Sequence, residues 1–138
     1  MSERVKQTFS RTFESLEKIF ALVDEFAGVH ALDGSAKYSV SFVLEELFTN
    51  MVKYNPDGTG DIVIELERKD DAVVMIVEDH SVTPFDLTKR GPVDTSEDLS
   101  QRNAGGLGIH LVQQIADKVE YQFDNGVSTI TVTKHLKG

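Results

Sequence analysis

Between residues 40 and 54 the chain carries Val40, Phe42, Val43, Leu44, Leu47, Phe48, Met51 and Val52. These apolar residues recur at helical rather than strand spacing, so the stretch is predicted to be an α-helix. Asp33 or Ser35 suits its start, and it runs to about Tyr54. Three polar side chains interrupt the apolar surface: Glu46, Asn50 and Lys53, separated by four and three residues. On a helix these positions stack along one side. A helix that is apolar nearly all round is buried, and buried polar groups need partners. The stripe therefore either reaches solvent or faces a polar ligand in a cleft, such as a metal–phosphate group.

The preceding region reads as a second helix. Phe13, Leu16, Ile19, Phe20, Val23 and Phe26 step at helical intervals from Thr12 onward, and Glu14, Glu17, Lys18, Asp24 and Glu25 lie on the other side. Ser10 or Thr12 is expected to cap it, and Gly28 to end it. Residues 3–10 are polar, with Val5 and Phe9 between; they form either a short edge strand or a disordered tail.

After the long helix, Asn55-Pro56-Asp57-Gly58 is dense in turn residues. Ile62, Ile64 and Leu66 alternate with polar residues, which predicts a half-buried strand. A turn at Lys69-Asp70-Asp71 leads to the apolar run Val73–Val77, expected to be a central strand ending at Glu78-Asp79. At the other end of the chain, Val119, Tyr121 and Phe123 precede Asp124-Asn125-Gly126, and Ile130 and Val132 alternate with threonines. Asn-Gly between alternating runs is a strong hairpin signal.

Residues 80–104 have no clear period. Structureless stretches of about 25 residues are unusual in a compact domain and are commonly lids or binding loops. Asn103-Ala104-Gly105-Gly106-Leu107-Gly108 follows, and Ile109, Leu111, Val112, Ile115 and Ala116 then predict one more helix. Glycines let a backbone approach a ligand closely, and a helix N-terminus presents N–H groups to anions. The pattern suits a phosphate site, or simply a glycine hinge. Together these elements predict one α+β domain over 1–138, with helices packed on one face of a largely antiparallel sheet of four or more strands.

Charge and composition narrow the chemistry. The net charge is −9 with no offsetting Lys/Arg cluster, which disfavours nucleic acid and anionic membranes as partners. The absence of cysteine excludes disulfides, thiolate metal sites and cysteine nucleophiles. His30, His80, His110 and His135 lack ligand-like spacing. With neither a signal-peptide pattern nor a span-length apolar run, a cytoplasmic location is expected. The G-x-x-x-x-G-K-[ST] loop, a G-x-G-x-x-G after a strand, and the G-x-S-x-G elbow are all absent from the sequence.

Three islands, in order and separation, resemble the GHKL (Bergerat-fold) ATP-binding family, and within it the RsbW-type anti-sigma-factor serine kinases of bacteria. The resemblance covers about residues 12–136. Glu46-x-x-x-Asn50-x-x-Lys53 is similar to the family's N box, Val77-Glu78-Asp79 to the strand end of its next box, and Gly105-Gly106-Leu107-Gly108-Ile109-His110-Leu111-Val112 to its glycine box. The resemblance implies a Bergerat-type two-layer sandwich, a mainly antiparallel mixed sheet with helices on one face and an ATP lid over about 86–104. It implies ATP and Mg²⁺ as cofactors. Asn50 would hold Mg²⁺, Glu46 would be the general base, and Lys53 would lie near a phosphate. Asp79 would accept a hydrogen bond from the adenine amino group. Gly105, Gly106 and Gly108 would hinge the lid and contact phosphates, and Thr129 would lie near adenine.

A single Asn beside phosphate oxygens agrees with the habit of Mg²⁺ to take one or two protein oxygens and keep several waters. Two departures stand out: Ser81 occupies a position where the family usually has Gly, in a segment one residue longer, and Tyr54 replaces a frequent His. The implied function is an ATP-dependent protein serine/threonine kinase that phosphorylates a small antagonist protein and regulates a sigma factor, with a homodimer as a further partner state. The alternative, supported by Ser81, is a GHKL binding module that holds nucleotide weakly and acts by protein–protein contact. The bare length also predicts neither a sensor histidine kinase nor a gyrase-like ATPase, which would need further segments.

Overall fold

A computed structural model describes residues 4–54, 61–80 and 111–136. Its elements are β1 (Arg4–Phe9), α1 (Ser15–Val29), α2 (Gly34–Tyr54), β2 (Ile62–Lys69), β3 (Ala72–Asp79), β4 (Lys118–Asp124) and β5 (Val127–His135). Residues 111–115 are also helical. The strands form a five-stranded sheet in the order β1-β2-β3-β5-β4, and every pairing is antiparallel. This is the expected α+β sandwich, enlarged by β1: residues 4–9 are an edge strand rather than a tail.

The register explains where the core sits. Phe9 pairs with Ile62, Ile62 with Asp79, and Asp79 with Ser128. Directly paired residues share a face, and every second residue along a strand returns to it. Ile62, Ile64, Leu66, Val73, Met75, Val77, Ile130 and Val132 thus line one face, and all are buried in a single core with residues from both helices. From α1 come Ile19, Leu22, Val23 and Phe26; from α2 come Val40, Val43, Leu44, Leu47, Phe48 and Met51. Each large side chain buried this way stabilises the fold by roughly 1.5–3 kcal/mol. Asp79 and Ser128 end this same helix-facing surface, so a carboxylate is built into the rim of the core.

Several local expectations need correction. Helix α1 begins at Ser15, later than a Ser10 or Thr12 cap would allow. The amides of Ser15 and Leu16 donate to the carbonyls of Thr12 and Phe13 in a lead-in turn, and the Ser15 hydroxyl donates to the Ser10 carbonyl at 2.9 Å. Phe13 falls before the helix and Phe20 off its buried stripe, so both are exposed, while Leu22 and Ala27 complete the stripe. The alternation in β2 predicts a half-buried strand, yet Ile62 to Glu67 are all buried. It lies between β1 and β3, and Arg4 of β1 reaches over the second face to Glu65 (2.9 Å) and Glu67 (3.6 Å).

Other local signals hold. Asp33 caps α2 through Oδ1, which accepts from the Ala36 amide at 2.8 Å. The β4–β5 turn places Asn125 at φ 53° and Gly126 at φ 78°, the two positive φ values of a tight hairpin turn. Strand β3 is the middle strand of the sheet, as its continuous apolar run implies. The turn at residues 55–58, the lid at 86–104 and the glycine segment at 105–108 lie outside the described residues. Among the described residues no helix is long and apolar enough to cross a membrane.

Candidate functional site

The site grows from the last two turns of α2. The inner side of this helix must be apolar to cover the sheet, and Leu47, Phe48 and Met51 are fully or almost fully buried. Asn50 is drawn into the same layer at 1% exposure. Its Nδ2 donates to the Glu46 carbonyl at 2.6 Å, while its Oδ1 is buried and without a hydrogen-bond partner. A buried carboxamide oxygen left unpaired costs about 1–3 kcal/mol, so such an atom calls for a reason to be there.

Glu46, one turn earlier, is half-buried. Burial raises its pKa above the ordinary 4.5; Glu45 pushes the same way and Lys53 opposes both. Lys53 itself is exposed on the last turn of α2. A carboxyl group held nearer to neutrality, close to a cation, has the character required of a general base.

Strand β3 delivers Asp79. The continuous apolar run carries the strand through the centre of the sheet, and its last residue emerges fully buried on the helix-facing side. Arg11, from the turn between β1 and α1, pairs with Asp79 through Nη2. Its Nη1 donates to the Met51 carbonyl at 3.3 Å. One guanidinium therefore touches both the end of β3 and the carbonyl of the residue next to Asn50. It also satisfies a carbonyl in the last turn of α2, where the helix has no amide of its own to offer.

The two described sequence islands thus meet at Arg11, which bridges Asp79 at the end of β3 and the Met51 carbonyl, one residue after Asn50 on α2. Thr129 does not join them. It pairs with Glu78, which turns it to the opposite face from Asp79; the residue across from Asp79 is Ser128, fully buried and 3.4 Å from the Tyr121 hydroxyl. Gly105, Gly106 and Gly108 lie outside the described residues. Neither Arg11 nor Ser128 was marked by periodicity. Ser128 follows from registering the Asn-Gly hairpin against β3, but a lone Arg in a turn carries no sequence signal.

Mg²⁺ is the cation the fold family implies. Among the described residues no cluster of three His, Asp or Glu side chains is arranged to hold a metal. The available donor is instead the orphaned Asn50 Oδ1, a neutral hard oxygen, which fits an ion that takes few protein ligands and completes its shell with water and phosphate. A cavity of about 310 Å³ lies elsewhere, at the opposite end of the sheet, lined by the first turn of α2, Arg68, Lys134 and His135. Its cations are engaged structurally: Arg68 donates to the His30 carbonyl at 2.6 Å and Lys134 to the Ile115 carbonyl at 3.0 Å.

Comparison with known proteins bears on the family and the fold. Serine-protein kinase RsbW of Listeria monocytogenes is 34% identical over 103 residues, 70% of this chain and 64% of its own length. Serine-protein kinase RsbW of Bacillus subtilis is 31% identical over 105 residues, 72% of this chain and 64% of its own. The chain therefore spans a little under two thirds of the relatives it matches. Among solved structures, the RsbU and RsbW domains of a Mycobacterium tuberculosis protein superpose with a TM-score of 0.66 at 18% identity, over 97% of this chain and 32% of that one. The SiaB–SiaC complex of Pseudomonas aeruginosa gives 0.65 at 12% identity, over 94% and 88%. Both likenesses are of fold. The profile of the histidine kinase-like ATPase domain matches residues 9–134, and the chain belongs to that family.

Proposed function

We propose that this chain is an ATP-dependent protein serine/threonine kinase of the RsbW kind, which phosphorylates a small antagonist protein and regulates a sigma factor in the cytoplasm. The observation that carries the reading is the pairing on α2 of an orphaned buried oxygen, Asn50 Oδ1, with a carboxyl group of raised pKa one turn away. The names of the relatives support the reaction class, and the crystallised SiaB–SiaC complex supports a protein partner.

In this reading Asn50 holds Mg²⁺ through Oδ1, with its amide fixed by the Glu46 carbonyl so that oxygen, not nitrogen, is presented. When bound, the cation neutralises charge on the phosphate oxygens. Glu46 accepts the proton of the attacking serine or threonine hydroxyl; its raised pKa brings it closer to that task at neutral pH. Lys53 stabilises phosphate charge at the mouth of the site. Asp79 accepts from the adenine amino group, and Gly105, Gly106 and Gly108 supply backbone amides to the phosphates. Phosphoryl transfer requires mostly such positioning and charge stabilisation. A homodimer remains part of this reading, through the family resemblance.

One observation favours a second reading, a binding module that holds nucleotide weakly and works by protein contact: Asp79 is already engaged by Arg11. Calorimetry with Mg·ATP followed by phosphate transfer to a candidate antagonist separates the two. Binding with transfer supports the kinase. Binding without transfer supports the module, and no binding at millimolar Mg·ATP overturns the kinase.

A further inference from the structure

We infer that Arg11 sets the affinity of this chain for adenine nucleotides by competing with the base for Asp79. The inference rests on the proposed role of Asp79 as acceptor of the adenine amino group, and goes beyond it by assigning a residue outside every family motif.

Asp79 is fully buried, and the Arg11 side chain is only 9% exposed. Burying a carboxylate is costly unless it is paired and hydrogen-bonded. Arg11 supplies a charge-assisted bond to Oδ1, and its second arm is anchored on the Met51 carbonyl at 3.3 Å. An exocyclic amino group is a neutral donor: its bond to the carboxylate is charge-assisted through the acceptor alone, without the opposite charge that the guanidinium brings. A base that engages Asp79 must therefore share the carboxylate with the guanidinium or push it aside. Either way, part of the binding free energy is spent against an existing ion pair. Arg11 lies where β1 turns into α1, so it reaches the carboxylate from an element that contributes none of the predicted nucleotide ligands.

A purely structural Arg11 would weaken the fold when removed without distinguishing one purine from another. Competition for Asp79 makes a sharper statement: removing Arg11 helps only those nucleotides that carry the amino group. The test is calorimetry on the full chain with Mg·ATP and with Mg·purine riboside triphosphate, which lacks that group. Arg11→Met is expected to tighten ATP by about tenfold and leave the purine riboside nucleotide unchanged. Arg11→Lys keeps a charge but not the two-armed hold, and is expected to tighten ATP about threefold; it serves if the Met variant fails to fold.

Unchanged or weakened ATP binding in the folded variants, or an equal shift for both nucleotides, overturns the inference. Asp79→Asn distinguishes its failure from that of the underlying reading. If Asp79→Asn abolishes the preference for ATP over the purine riboside nucleotide while the Arg11 variants leave it untouched, competition alone is wrong. If the wild-type chain has no such preference and Asp79→Asn changes neither affinity, the role of Asp79 is wrong, and the inference falls with it.

Discussion

Asn50 donates to the backbone carbonyl of Glu46 at 2.6 Å, and this one bond decides which end of its amide is available. With Nδ2 tied back along the helix, Oδ1 is left buried and unpaired. Asn50→Ala removes the only atom of this side chain suited to a hard cation. It is expected to weaken Mg-dependent ATP binding by at least about tenfold, measured by titration with and without Mg²⁺. The fold should be nearly unaffected, with a melting temperature within about 5 °C of wild type, because a buried orphan is lost together with one good hydrogen bond.

Glu46→Gln separates binding from transfer. The amide keeps the shape of the side chain and cannot take a proton. Nucleotide affinity should stay within about threefold of wild type, while transfer to an antagonist should fall by about 10²-fold or more. Transfer at the wild-type rate would remove Glu46 from the role of base.

The same substitution carries a pH signature. The pKa of Glu46 in the folded chain lies above 4.5, chiefly through burial. Between the unfolded and folded values the native state binds more protons, so the contribution of Glu46 to stability is intact below 4.5 and is lost as pH rises through the folded value. Glu46→Gln should therefore be slightly more stable than wild type at pH 7, by under about 1 kcal/mol given the half-exposed setting. The gap should close as pH is lowered towards 4.5. Thermal melts of both proteins across that range check the sign.

The Arg11–Asp79 pair makes a prediction about stability that is independent of any nucleotide. Asp79→Ala takes away the carboxylate that the Arg11 guanidinium faces in a nearly closed site, and should cost about 3–5 kcal/mol in urea unfolding. Replacing both residues with apolar ones, Arg11→Met with Asp79→Leu, should recover most of that loss. If the single and double replacements cost the same, the two charges do not interact in the folded chain.

Asp33→Ala tests the start of α2 at a distance from the site. The loss of the 2.8 Å bond to the Ala36 amide should cost about 1 kcal/mol. ATP affinity should not change, since Glu46 and Asn50 lie three turns or more away on the same helix.

What was legible in the sequence follows from periodicity. The core positions of α2, the central place of β3 and the Asn125-Gly126 hairpin each rest on local spacing or on one turn type, and these signals survive without knowledge of neighbours. The errors fall where a neighbour decides. Phe13 and Phe20 match a helical interval, yet the lead-in turn at Thr12 and Phe13 leaves Phe13 before the helix, and Phe20 lies off the stripe that Ile19, Leu22, Val23 and Phe26 bury. Glu65 and Glu67 give β2 the look of a strand with one wet face, yet both are buried and Arg4 reaches them across from β1. Within the site, Glu46 and Asn50 could be placed together because one helix carries both. Whether Thr129 or Ser128 accompanies Asp79 depended on the pairing of two strands about fifty residues apart, where a slip of one residue exchanges faces. Arg11 depended on a contact between a turn and a strand end that no local pattern encodes.

Strand β1 is an outer strand held to the sheet on one side only, and Arg11 follows its last residue by two positions. Trimming the chain to begin at residue 12 would thus remove more than a border of the sheet. It would also take away the cation that neutralises Asp79 and steadies the closing turn of α2, so a fragment chosen for its three family motifs would contain every expected ligand and still have lost the clasp that joins their supports.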